Sequence, residues 1–214
     1  MHNEVFMSYI IGFISQKGGV GKSTLVRALA CEMSKNKLSV KVSDLDIQQA
    51  TTFNWHRKRL ALDMESSISV ECHSAVHQSL KSIQKNDILI IDGPARASKG
   101  TLDIAKNSDL VVQPTGASLD DLEPAILTFH ELVKAGISKK SLVFALVRVG
   151  TVAEELDCRS YIEQAGYDVL DGCVFEKPAY RQSQNKGLAV TETKYISLNN
   201  SAGILIQAMV DKLQ

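Results

Sequence analysis

The sequence has few cysteines, no excess of charge of either sign and no long apolar run. Its 214 residues include four cysteines without a C-x-x-C pair, so no disulfide or cluster-binding spacing is indicated and a reducing compartment is expected. Lys and Arg number 24 and Asp and Glu also number 24, which excludes a uniformly basic surface and leaves only a local patch for nucleic acid. No apolar stretch approaches the ~20 residues that span a bilayer, and residues 1–8 do not resemble a signal peptide.

The sequence does contain a regular alternation of short apolar runs with segments of helical periodicity. This alternation is typical of α/β proteins with a parallel sheet. Runs such as Ile88–Ile91 and Leu142–Val147 are apolar at every position, which indicates strands buried on both faces of the sheet. We therefore predict one α/β domain over residues 1–214, with a mostly parallel central sheet and helices on both faces. The predicted strands are Ile10–Ser15, Ser39–Ser43, Ile68–Glu71, Asp87–Asp92, Asp109–Gln113, Leu142–Val147 and Val169–Phe175.

A glycine-rich segment, residues 16–24, follows the first predicted strand and precedes a predicted helix. Its sequence is Q-K-G-G-V-G-K-S-T, and the glycines allow several N–H groups to point inward beside the positive end of the helix. Such a loop binds polyphosphate: Lys22 would reach the β/γ-phosphates and the Ser23 hydroxyl would ligate Mg²⁺. The ordinary G-x-x-x-x-G-K-[ST] pattern is not met, because Gln16 replaces its first glycine. A second lysine, Lys17, lies in the loop instead.

Acidic residues follow two further predicted strands. The second strand is followed by Asp44 and Asp46 in the sequence D-L-D-I-Q, and the fourth ends in Asp92 before a Gly-Pro pair. Because the carboxyl ends of parallel strands meet at one edge of a sheet, we expect these carboxylates beside the glycine-rich loop. There they can orient an attacking water or hold Mg²⁺, since phosphoryl transfer to water depends on positioning and charge stabilisation. The alternative for the first pair is an acidic region that caps the helix beginning near Thr52.

The sequence resembles the ParA/MinD family of deviant Walker A ATPases in three motifs. They are K-G-G-V-G-K-S-T at residues 17–24, D-x-D-x-Q at 44–48, and Asp-Gly-Pro at 92–94. A proline-containing turn after the predicted strand Asp109–Gln113 is a less specific likeness, and Ile47 stands where the family usually has proline. The resemblance extends from about residue 10 to 213. It is greatest to the short plasmid-partition forms such as ParF, so we expect a P-loop NTPase domain without an N-terminal helix-turn-helix domain.

The resemblance implies a nucleotide cycle. ATP and Mg²⁺ would close two subunits into a homodimer that binds DNA without sequence preference, and a ParB-like partner would stimulate slow ATP hydrolysis. The implied catalytic residues are Lys17, reaching the phosphates of the other subunit, Lys22 and Asp46, and the implied Mg²⁺-binding residues are Ser23, Asp46 and Asp92. The implied nucleotide-binding residues are Lys17, Gly18, Gly19, Val20, Gly21, Lys22, Ser23 and Thr24, with Lys177 and Pro178 near adenine. The DNA-binding candidates are Arg148, Arg159, Lys177, Arg181 and Lys186.

The sequence argues against some of the other functions of this fold and leaves others open. The same ATPase cycle could position a protein assembly instead of a plasmid or chromosome, and the sequence does not distinguish these cargoes. A MinD-like membrane cycler would end in a basic amphipathic helix, and residues 208–214 have too few cationic side chains, so no membrane partner is expected. An iron–sulfur carrier would need cysteines between Cys72 and Cys158, where there are none. The sequence does not exclude a synthetase that acts on a small-molecule carboxylate. The expected location is the cytoplasm, on the nucleoid.

Overall fold

A sheet of seven parallel strands lies at the centre of the molecule, described from a computed structural model over residues 8–64, 67–81, 83, 86–95 and 98–213. The strand order is β3-β2-β4-β1-β5-β6-β7, and all neighbouring strands are parallel, as predicted. The strands are β1 (Tyr9–Phe13), β2 (Val40–Asp44), β3 (Ile68–Cys72), β4 (Ile88–Asp92), β5 (Leu110–Thr115), β6 (Leu142–Val149) and β7 (Asp168–Phe175).

Helices cover both faces of this sheet. One hydrophobic cluster includes Leu25, Trp55 and Met209 and packs helices α1, α2 and α8 on one face. A second cluster includes Phe129 and Ile162 and packs α5 and α6 on the other. Burying each of these large side chains contributes about 1.5–3 kcal/mol. The helices of the described residues are α1 (Lys22–Lys35), α2 (Thr51–Leu60), α3 (Val76–Leu80), α4 (Ser98–Lys106), α5 (Leu119–Lys134), α6 (Val152–Gln164), α7 (Pro178–Asn185) and α8 (Ile196–Asp211), and none is long and apolar enough to cross a membrane.

The strand order creates a crevice at the carboxyl end of β1. Strands β2, β3 and β4 lie on one side of β1, and β5, β6 and β7 lie on the other. The direction in which the chain adds strands to the sheet therefore reverses at β1. Ligands of open α/β sheets bind at such a point. In register, Asp92 of β4 lies opposite both Phe13 of β1 and Asp44 of β2. The strand ends therefore bring the two predicted acidic segments and the glycine-rich loop to one place.

The proline turn expected after Gln113 is corrected by the structure, because β5 continues through Pro114 to Thr115. The carbonyl of Val112 accepts a hydrogen bond from Ile14 N–H, so the backbone polar groups of Val112, and of every second residue along β5 such as Pro114, are on the side of β1. Since β1 ends at Phe13 and pairs with β5 only as far as Val112, the missing N–H of Pro114 removes no sheet hydrogen bond. The predicted strand boundaries otherwise agree with the structure to within two residues.

Candidate functional site

The glycine-rich loop forms a cleft at the first turn of α1. Gly19 and Gly21 have φ angles of +78° and +101°, which only glycine adopts without strain. At Gly21 there is a second reason against a side chain, because a Cβ would lie 2.8 Å from Val147 Cγ1. The cleft has a volume of about 250 Å³ and is lined by Gly18, Gly19, Gly21, Lys22, Ser23, Thr24, Arg27, Asp46, Gln49, Thr51, Asp92, Gly93 and Ala95. Its position at a helix N-terminus favours a polyanion.

Lys22 is the buried cation of this cleft. It is the first residue of α1 and its side chain is 8% exposed. Burial lowers its pKa, while the charges of Asp92 and Asp46 oppose that shift. A bound phosphate would place further negative charge beside this ammonium group, which stabilises its protonated form.

The two aspartates after β2 have different roles in the structure. Asp44 is fully buried, and its carboxylate accepts N–H bonds from Asp46 (3.1 Å), Thr52 (3.0 Å) and Phe53 (3.2 Å). It thereby holds the loop and the first turn of α2, and burial raises its pKa against these hydrogen bonds. Asp46 is half-buried and lines the cleft, where its Oδ1 accepts the N–H of Gln49 at 3.1 Å. Asp46 is therefore the aspartate of this pair that can face a phosphate or a water.

Asp92 lies at the bottom of the cleft with one oxygen free. Its Oδ2 accepts the Thr52 hydroxyl at 2.7 Å, whereas its buried Oδ1 has no partner among the described residues. Ser23 Oγ lies nearby and accepts the Thr51 hydroxyl at 3.0 Å. Carboxylate and hydroxyl oxygens are the ligands that Mg²⁺ prefers, usually with several waters retained. The residues present therefore fit Mg²⁺, and Ser23 and Asp92 would hold it directly or through water.

Sequence reasoning missed three residues that belong to this cleft. Thr51 and Thr52 begin α2 and connect it to Ser23 and Asp92, and the two consecutive hydroxyls after the D-x-D segment were the available signal. Arg27 also lines the cleft, four residues after Ser23 on the same face of α1. Its Nε is buried without a partner among the described residues, so it can still donate to a ligand.

The Asp92→Asn variant is expected to stabilise the ligand-free protein above pH 6. Burial, followed by the charge of Asp44, raises the pKa of Asp92 from 3.8 to about 6. The protonated Asp92 carboxyl tolerates burial, so its full contribution to folding stability is present below its unfolded pKa of 3.8. As the pH rises through its folded pKa of about 6, the buried carboxyl ionises and the free energy of unfolding falls by about 1–3 kcal/mol. Thermal unfolding should show a gain of several degrees for Asp92→Asn at roughly pH 8 that disappears near pH 4. The exposed Asp157→Asn serves as control, and a gain independent of pH would contradict the prediction.

A second pocket of about 270 Å³ adjoins the phosphate cleft and shares Gly19, Gly21 and Thr24 with it. Its apolar residues are Val147, Val174, Phe175, Tyr180 and Val190, and its polar residues are Arg148, Glu176, Lys177, Arg181 and Gln184. An apolar pocket with a few polar groups suits a flat aromatic ring beside the phosphates. Lys177 lines this pocket, while Pro178 begins α7 and is not among the lining residues; their contact with adenine stays a prediction.

Three of the DNA-binding candidates, Arg148, Lys177 and Arg181, line this pocket, and two of them are paired. Arg148 and Arg181 both contact Glu176, and Arg148 also donates to the Gly19 carbonyl at 3.0 Å. A fourth candidate, Arg159, donates to Glu155 and to the carbonyls of Leu170 and Gly172, with a side chain only 17% exposed. Its guanidinium is therefore already used inside the fold, and the DNA-binding role of Arg159 stays a prediction.

Lys17 is paired outside the cleft formed by its own chain. Its side chain is 52% exposed and forms an ion pair with Asp121 in the first turn of α5. Lys17 is not among the residues that line the phosphate cleft. In the single chain this second lysine is accordingly positioned at the surface beside the site.

The fold and the cleft together define a P-loop nucleotide-binding protein of the α/β class. Residues 11–190 match the CobQ/CobB/MinD/ParA nucleotide binding domain, and the chain belongs to this family. A curated relative, an uncharacterised protein of Borreliella burgdorferi, is 40% identical over 76 residues, which cover 36% of this chain and 30% of that protein. The match therefore spans less than a third of the relative's length.

Solved structures share the fold over nearly the whole chain. The septum site-determining protein MinD of Pyrococcus horikoshii, complexed with Mg-ADP, has a TM-score of 0.74 at 21% identity and 97% coverage of both chains. A plasmid partition protein of Borrelia burgdorferi bound to AMPPNP has a TM-score of 0.72 at 18% identity, covering 96% of this chain and 100% of that one. A Cyanothece McdA variant in complex with ATP has a TM-score of 0.75 at 16% identity, with 95% and 96% covered. At these identities the likeness concerns the fold.

Proposed function

We propose that this protein is an ATPase of the ParA type that drives the partition of a plasmid or chromosome. In this proposal ATP and Mg²⁺ close two subunits into a sandwich dimer, the dimer binds DNA of any sequence, and a ParB-like partner stimulates slow hydrolysis. Residues 1–214 act as one ATPase domain that associates with the nucleoid. The observation that supports it most is the cleft in which Lys22, Asp46 and the unpartnered oxygen of Asp92 meet beside a second lysine, Lys17.

Each residue of the cleft has a role that follows from its position. The loop N–H groups and Lys22 bind the β/γ-phosphates and neutralise the charge that develops on them. Ser23 and Asp92 would hold the metal, which when bound supplies charge stabilisation to the phosphates. Asp46, at the half-exposed end of the cleft, orients the attacking water. The apolar pocket beside Lys177 accepts the adenine ring.

Lys17→Gln is expected to bind nucleotide normally but to form no hydrolytically competent dimer. The physical reason is that Lys17 does not line its own cleft, so its charge can serve the phosphates of a second subunit. Equilibrium binding of a fluorescent ATP analogue, size-exclusion chromatography with ATP and the hydrolysis rate are the measurements. Lys22→Gln is the matched control, because it removes the lysine of the chain's own cleft and should lose nucleotide affinity. An unchanged hydrolysis rate for Lys17→Gln would refute the role in trans.

The experiment that tests the proposed function is a DNA shift with a duplex of arbitrary sequence. Binding is measured with ATP, with ADP and without nucleotide, over a series of salt concentrations. Partition-type function requires binding that depends on ATP and weakens steeply with salt, because phosphate contacts release counterions. A protein that hydrolyses ATP but shifts no DNA under any condition would contradict the DNA-segregation role and favour a protein cargo.

A further inference from the structure

We propose that helix α2 carries the main DNA-binding surface of this protein and links it to the nucleotide site. The surface, here called the α2 cationic patch, consists of Arg57 and Lys58 on α2 and Lys186 at the end of α7. This inference deepens the proposed function and rests on it. The partner chemistry is the phosphate backbone of duplex DNA, which is recognised by cations without reading sequence.

The backbone of α2 closely approaches Gly187, the residue that follows Lys186. A Cβ on Gly187 would lie 2.9 Å from Arg59 N and 3.1 Å from Lys58 C, and Gly187 has a φ of +82°. The Gly187 carbonyl also accepts a hydrogen bond from Arg59 Nη1 at 3.3 Å. Lys186 is therefore adjacent in the chain to the residue that packs against α2 at Lys58 and Arg59.

The charges of the patch are exposed and free. Arg57, Lys58 and Lys186 are all solvent-exposed, and none of their side chains has a hydrogen bond or ion pair with any other described residue. By contrast, Arg148 and Arg181 share the carboxylate of Glu176. An unpaired surface cation gains more from a phosphate than a paired one, since no existing ion pair has to be broken first.

The helices on the two faces of the sheet carry opposite excess charge, and this difference favours DNA binding on the face that contains α2. α2 contains three basic residues and no acidic one. On the opposite face, α5 and α6 together contain eight acidic and two basic residues. The C-terminal helix α8 contains no basic residue. A polyanion is therefore attracted to the α2 face and repelled by the α5 and α6 face.

Helix α2 also reaches the nucleotide site at its other end. Thr51 donates to Ser23 and Thr52 to Asp92, while the Asp44 carboxylate accepts the N–H of Thr52. Ten residues of α-helix extend about 15 Å, so one rigid element connects the magnesium-binding groups to the patch. A change in the ligands of Ser23 or Asp92 on ATP binding would thus move the patch, which provides a route for nucleotide-dependent DNA binding.

The test compares DNA binding by two double variants of equal charge change. Arg57→Ala/Lys58→Ala removes two of the three cations of the patch, and Lys134→Ala/Lys140→Ala removes two exposed lysines outside it. With ATP, the first variant is expected to bind an arbitrary duplex about tenfold or more weakly, with a log–log salt slope smaller by about 0.9 for each DNA phosphate that is no longer neutralised. The control variant should retain the wild-type affinity and slope. Binding of a fluorescent ADP analogue and the melting temperature verify that both variants fold.

The outcomes separate the inference from the function on which it rests. Equal losses in the two variants, or no loss in the first, would overturn the inference while ATP-dependent binding by the wild type still supports partition. A wild-type protein that binds no DNA would overturn both. Arg57→Lys should bind DNA with nearly the wild-type affinity, unlike Arg57→Ala, because binding to a phosphate needs charge and not the guanidinium geometry.

Discussion

Asp46→Ala is expected to lower the rate of ATP hydrolysis by about 10²–10⁴-fold while leaving nucleotide affinity close to that of the wild type. The cleft retains Lys22, Ser23 and Asp92 in this variant, and these are the groups that bind phosphate and Mg²⁺ in the proposed function. Only the carboxylate that would orient the water is removed. We expect the variant to accumulate as an ATP-bound dimer on DNA, measured by size-exclusion chromatography and by DNA retention after a chase with unlabelled duplex.

Asp46→Asn separates catalysis from loop structure. Asparagine keeps an oxygen that can accept the N–H of Gln49, so the loop conformation is preserved, whereas the charge is removed. If the carboxylate acts on water, both variants hydrolyse slowly. Full activity in Asp46→Asn together with loss in Asp46→Ala would show that Asp46 only shapes the loop. An ATP-loaded Asp46→Ala protein that stays monomeric would contradict the expected dimer.

Glu192→Ala is expected to lower the free energy of unfolding by about 3–5 kcal/mol, the largest stability effect that a single substitution in this pair should produce. Arg59 and Glu192 form two hydrogen bonds of 2.6 and 2.8 Å, and their side chains are only 6% and 11% exposed. Burial, the largest single influence, raises the pKa of Glu192, but the hydrogen bonds from Arg59 and the Ala189 N–H, together with the charges of Arg59 and Lys35, outweigh it and the net pKa is lowered. Removing the carboxylate leaves the Arg59 guanidinium buried and uncompensated.

Thermal unfolding measures this effect, and a fall in melting temperature of roughly 10 °C is expected at neutral pH. Because the lowered pKa of Glu192 provides stability above the unfolded pKa that is lost as pH falls, the difference from wild type should shrink in acid. Arg59→Met/Glu192→Leu serves as the matched double variant. Replacing both charges by apolar groups should recover most of the stability, since no charge stays buried alone. A double variant as unstable as Glu192→Ala would contradict this account.

Candidate site residues can be predicted from the sequence when they belong to short local motifs. The glycine-rich segment and the strands ending near Asp44 and Asp92 are local patterns, and parallel strands necessarily bring their carboxyl ends together. The assignment of Asp46 over Asp44 came only from the family resemblance. The structure supports it with a physical reason, because the oxygens of Asp44 are occupied by three backbone N–H groups.

The parallel α/β fold and the loop that suits a polyanion can be predicted from the chain alone, because alternating buried strands and a glycine-rich helix start are encoded in short segments. Which charged side chains are free could be learned only from the folded molecule. Arg159 and Arg57 are alike as sequence, yet Arg159 donates to β7 carbonyls while Arg57 is exposed and unpaired among the described residues. Such pairings join residues far apart in the chain, as Arg59 joins Glu192, and depend on how helices pack across the sheet.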